Sequence, residues 1–104
     1  MGIEQEISIT PEQRQTVLAL LGRYLPGTAA WAYGSRVKQT WRPASDLDLV
    51  VFSTPEQRPR VHDLREAFEE SSLPFRVDLF VWDDIPGYFH EQIQEKYSVL
   101  IEAT

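Results

Sequence analysis

Two short apolar runs, Leu47-Asp48-Leu49-Val50-Val51-Phe52 and Val77-Asp78-Leu79-Phe80-Val81-Trp82, each carry a single carboxylate at the second position. β-Branched and aromatic residues make both runs strand formers, and the first is apolar on both faces beyond Asp48, as a buried central strand must be. A lone carboxylate in such a place costs several kcal/mol unless it is paired or bound to a cation. Between the runs, Pro59 to Glu70 reads as a helix with Val61, Leu64, Ala67 and Phe68 on one stripe. The connection is long enough for a parallel crossover, and parallel neighbours would bring Asp48 and Asp78 to one end of a sheet.

The remaining elements fall around this unit. Thr10-Pro11-Glu12-Gln13 has the signature of a helix start, followed by Val17, Leu18, Leu21 and Leu25 at helical spacing. Pro26-Gly27 stops that helix, Ala29 to Tyr33 is a short strand ended by Gly34, and Ser35 to Thr40 a brief helical turn. Trp41 to Ser45 is a loop broken by Pro43. Asp83-Asp84 is expected to cap a final helix containing Phe89, Ile93 and Tyr97, with Ser98 to Ile101 as a short closing strand. Residues 1–9 are expected to be loose. The order α-β-β-α-β-α predicts an α/β (α+β) fold, a small mixed three-stranded core sheet with helices packed against it.

At 104 residues this is one expected domain, with a single core and no space for a separate substrate domain. A net charge of -6 argues against a broad nucleic-acid-binding surface and suits a basic protein partner. The absence of cysteine excludes disulfides and thiolate metal sites. No apolar stretch approaches the roughly 20 residues of a membrane span and no signal-like segment opens the chain, so a cytoplasmic protein is expected.

Asp46 and Asp48 would project from one face of an extended strand about 7 Å apart. With Asp78 they make three hard oxygen ligands, a set that favours Mg²⁺ or Mn²⁺ over zinc. Pairing with Arg76 or Arg36 is the structural alternative. Gly34-Ser35 follows a strand and opens a turn whose backbone N–H groups can approach a phosphate, with the Ser35 hydroxyl as a further donor. Arg36, Lys38 and Arg42 lie between turn and carboxylates and are candidate phosphate contacts. Trp41 is a candidate for stacking on a base. His62 and His90 have no second histidine at metal-ligand spacing.

Gly34-Ser35-x10-Asp46-x-Asp48, with Asp78 on a later strand, resembles the DNA polymerase β-like nucleotidyltransferase superfamily. The run from Gly34 to Leu49 is similar to its minimal nucleotidyltransferase branch, although Val37-Lys38-Gln39 stands where Ala-Arg-Gly is common. The resemblance implies a nucleotidyltransferase fold with first and second strands antiparallel and second and third parallel. It implies transfer of AMP from ATP to a hydroxyl, with Asp46, Asp48 and Asp78 as ligands of two Mg²⁺ ions and Gly34-Ser35 as the phosphate turn. It also implies a partner, a HEPN-domain toxin modified on a tyrosine, and hence a hetero-oligomer in which this chain is the antitoxin. The alternatives are a module that neutralises its partner by masking alone, and a small-molecule transferase completed by a second helical chain.

Overall fold

Thr10 closes a capping box at the head of the first helix: the Gln13 N–H donates to Thr10 Oγ1 at 3.1 Å and the Thr10 N–H donates to Gln13 Oε1 at 2.9 Å. The computed structural model describes residues 3–4, 7–38 and 42–103, with the backbone alone for 3, 4 and 38. Helix α1 (Pro11–Tyr24) turns Val17 and Leu21 into the core, and Leu25 just beyond it is equally buried. The single-turn helix α2 (Ser35–Lys38) follows the second strand. Helices α3 (Arg58–Glu69) and α4 (Gly87–Glu95) follow later in the chain. Among the described residues no helix is long and apolar enough to cross a membrane.

Among the described residues five strands, β1 (Ile3–Glu4), β2 (Ala30–Tyr33), β3 (Leu47–Val51), β4 (Val77–Val81) and β5 (Lys96–Ile101), form a sheet in the order β1-β5-β2-β3-β4. β2 runs antiparallel to β3, and β3 parallel to β4 through the α3 crossover, as the resemblance implied. The sheet is wider than the expected three strands. β5 pairs antiparallel with β2, and β1 adds in parallel to the outer edge of β5. Tyr97, expected in the last helix, belongs to β5, where burial falls on Ser98 and Leu100 with the period of a strand. Within the segment expected to be loose, Ile3–Glu4 cover a strand edge that would otherwise present unpaired backbone groups, and Ile7 and Ile9 pack against the core.

Alternation along the strands gives the sheet two different faces. Ala30, Ala32, Leu47, Leu49, Val51, Leu79 and Val81 form the main core with Val17 and Leu21 of α1 and Val61, Leu64 and Phe68 of α3. The other face carries Tyr33 and Val50 against Ile93 of α4, ringed by Trp31, Phe52, Trp82, Phe89 and Tyr97. By the same alternation Asp48 and Asp78 belong to this second, aromatic face, at its end. Asp83 and Asp84 do not cap α4. They lie in a single 3₁₀ turn (Trp82–Asp84), and α4 starts behind Pro86 with no side-chain cap. Asp84 instead accepts two bonds from the Arg58 guanidinium, at 2.8 and 3.1 Å, and so ties the end of β4 to the start of α3.

Candidate active site

The parallel register sets Leu47 beside Val77 and therefore Asp48 directly beside Asp78. Asp46 lies two residues earlier, just outside β3, where the Leu47 N–H donates to the Arg76 carbonyl at 2.8 Å and holds the strand entrances together. The Arg76 guanidinium then reaches across both: Nε is 3.1 Å from Asp78 Oδ1, and Nη2 is 3.4 Å from Asp46 Oδ2 and 3.4 Å from Asp78 Oδ2. Its hydrogen bonding to Asp78, then the charges of Asp78, Asp46 and Asp48, raise the Arg76 pKa. The three aspartates predicted to cooperate thus stand at one end of the sheet.

Asp48 shows the strain of that gathering. Burial, and after it the charges of Asp78 and Asp46, push its carboxyl from 3.8 up to about 6, with Arg76 pulling the other way. Behind it stands Gly34, with φ +81°, a conformation side chains rarely adopt; a Cβ there would collide with Asp48 Oδ2. This glycine is required twice over, by its backbone angle and by the carboxylate packed against it. The Gly-Ser turn and the carboxylates are consequently one site.

The predicted basic contacts divide. Arg36 is buried, and its guanidinium donates to three backbone carbonyls, those of Ser45 (3.0 Å), Ser8 (2.8 Å) and Pro43 (3.1 Å). It also lies 4.2 Å over the Phe75 ring, and burial lowers its pKa while Asp46 raises it. These bonds make it a clamp: it fastens the loop that delivers Asp46. Arg42 is exposed in that loop, where its N–H donates to Ser45 Oγ at 2.8 Å. The Lys38 side chain and Trp41 lie outside the described residues. His62 makes an exposed pair with Glu66, and His90 stacks on Trp82 at 3.8 Å with Nε2 2.7 Å from the Trp82 carbonyl.

A cavity of about 220 Å³ opens beside Gly34 and Asp48, lined also by Tyr33, Phe89, Gln92, Ile93 and Lys96. The Tyr33 hydroxyl is buried without a hydrogen-bond partner among the described residues, and burial, then Asp48 and Asp78, hold the phenol well above its ordinary pKa of 10. None of Tyr33, Gln92 and Lys96 was singled out from sequence. The only signal for the last two is that Phe89, Gln92, Ile93 and Lys96 recur at helical spacing, and this reads equally well as a core stripe.

Oxygen ligands alone, and a carboxyl whose proton affinity is raised by burial and then by like charges, are the chemistry of a hard divalent cation. Among the described residues no three acidic or histidine side chains already enclose a common point. Arg76 is the stand-in ion, bridging Asp46 and Asp78 as a cation would. The aspartates fit a metal on condition that this guanidinium yields its place.

Residues 16–104 match the family model described as polymerase beta, nucleotidyltransferase. The chain is 39% identical over 98 residues to the probable protein adenylyltransferase MntA of Haemophilus influenzae, covering 93% of this chain and 86% of that protein. Its fold is similar to one in a crystal structure of a toxin-antitoxin with AMP-PNP, at a TM-score of 0.63 and 18% identity over 88% of this chain and 74% of the other. At that identity the structural likeness is one of fold.

Proposed function

This chain belongs to the minimal nucleotidyltransferase branch of the polymerase β-like nucleotidyltransferases, and from that premise we propose that it transfers AMP from ATP to a hydroxyl of a partner protein. The observation that carries the reading is the pairing of Asp48 with Asp78 across β3 and β4, with Gly34 packed against the Asp48 carboxylate. The acceptor oxygen attacks the α-phosphorus, the bond from that phosphorus to the oxygen leading to the β-phosphate breaks, and pyrophosphate leaves. Asp78 takes the acceptor proton and passes it to water. Gly34 and Ser35 hold the phosphate tail with backbone N–H groups and the hydroxyl, and Arg36 keeps the loop carrying Asp46 in place. Two Mg²⁺ ions, or Mn²⁺, held by Asp46, Asp48 and Asp78 would neutralise the triphosphate and make the acceptor hydroxyl more acidic.

A relative described as a probable protein adenylyltransferase and a neighbour in a toxin-antitoxin assembly support a protein acceptor. The partner we assign is a HEPN-type toxin, and the acceptor one of its tyrosines. Neutralisation by contact alone is a second reading, favoured by Phe80 and Tyr88, large hydrophobic residues that remain exposed. Labelled ATP, Mg²⁺ and the co-purified partner separate the two. An adenylyltransferase leaves an AMP unit on the partner, and Asp78→Asn lowers labelling by about a hundredfold or more, the scale of a lost catalytic acid-base group. Unlabelled but neutralised partner, or unchanged labelling by Asp78→Asn, would defeat the assignment.

A further inference from the structure

The strand order assigns positions to the two ends of the reaction. β5, β2, β3 and β4 lie side by side, so Asp78 on β4 and Lys96 at the start of β5 stand on opposite sides of Asp48. In an in-line displacement the attacking and leaving oxygens lie on opposite sides of the phosphorus. With the acceptor at Asp78, the leaving pyrophosphate points away from β4, over Gly34 and into the cavity beside it.

That cavity has the chemistry to receive it. Lys96 lines it together with Gln92, an amide donor, and Tyr33, a residue 7% exposed whose buried hydroxyl lacks a hydrogen-bond partner among the described residues. Arg36 is committed to the carbonyls of Ser8, Pro43 and Ser45, so it does not supply this charge. Lys96 is the cation that lines the cavity among the described residues. We propose that this cavity is the seat of the β- and γ-phosphates, with Lys96 neutralising the departing pyrophosphate and Gln92 and the Tyr33 hydroxyl donating to its oxygens. The assignment rests on the transferase reading and adds to it the residues that hold the leaving group.

Calorimetric titration of the chain in Mg²⁺ with ATP, pyrophosphate and AMP as separate probes tests this. Lys96→Gln is expected to weaken ATP and pyrophosphate about tenfold, the loss of one charge-assisted contact, with AMP changed less than about twofold. Lys96→Arg should retain most of the affinity, and Tyr33→Phe should cost ATP about threefold without touching AMP. Unchanged ATP and pyrophosphate affinities in Lys96→Gln would overturn the assignment, as would an equal loss for AMP. Wild-type protein that binds neither ATP nor pyrophosphate would instead remove the transferase reading itself, and this inference with it.

Discussion

At the scale of single residues, the acid cluster is held under electrostatic tension that protonation relieves and a bound cation would relieve. Asp48 titrates at about 6 in the fold against an ordinary 3.8, so between those values the folded chain keeps a proton that the unfolded chain has given up. Stability from this group is therefore complete below the lower value and declines as pH rises through the upper one. Asp48→Asn should make the metal-free protein more stable at pH 7.5, on the order of 1 kcal/mol once partial exposure is discounted. The advantage should shrink towards zero near pH 4. Paired urea titrations across that range check it, and a pH-independent difference would refute the assignment. Added Mg²⁺ should stabilise wild type and not the variant, because a cation binding only the folded acid set acts by mass action.

At the scale of elements, the loop between α2 and β3 depends on Arg36. Removing its side chain leaves the carbonyls of Ser8, Pro43 and Ser45 without their donor and uncovers Phe75. Arg36→Ala should cost about 2–4 kcal/mol in denaturant unfolding and speed amide exchange in residues 42–46. A loss under about 0.5 kcal/mol, as for an ordinary surface position, would mean that the loop stands without it. This role was not legible in the sequence. A basic residue straight after Gly-Ser reads as a phosphate ligand, and nothing in residue order shows three distant carbonyls converging. The carboxylates were legible for the opposite reason, since an aspartate inside an apolar strand demands a partner wherever it lies. β5 was half legible: Tyr97 continues the Phe89–Ile93 helical spacing as readily as it begins a strand, so periodicity could not place the boundary. Asp84 looked like a cap because its true partner, Arg58, enters from another helix.

At the scale of the whole molecule, the net charge of -6 and the acid end of the sheet would set how the proposed toxin approaches. A basic partner is steered by that field, and steering is screened once the Debye length falls to a few ångströms. Association with the proposed toxin should slow by at least about tenfold between about 0.05 and 0.5 M salt, with a smaller change in dissociation; stopped-flow mixing measures both. An association rate indifferent to salt would place the interface away from the acidic surface. The fold follows from its two faces, one closed by α1 and α3 and the other only partly by α4, and that second face holds the aspartates at its end. The mutual bonds of Ser8 and Arg36 have a practical corollary. The stretch leading into the first helix is stitched to the frame around Asp46, so a purification tag placed there would tug on the end of the sheet that carries the aspartates, from far along the chain.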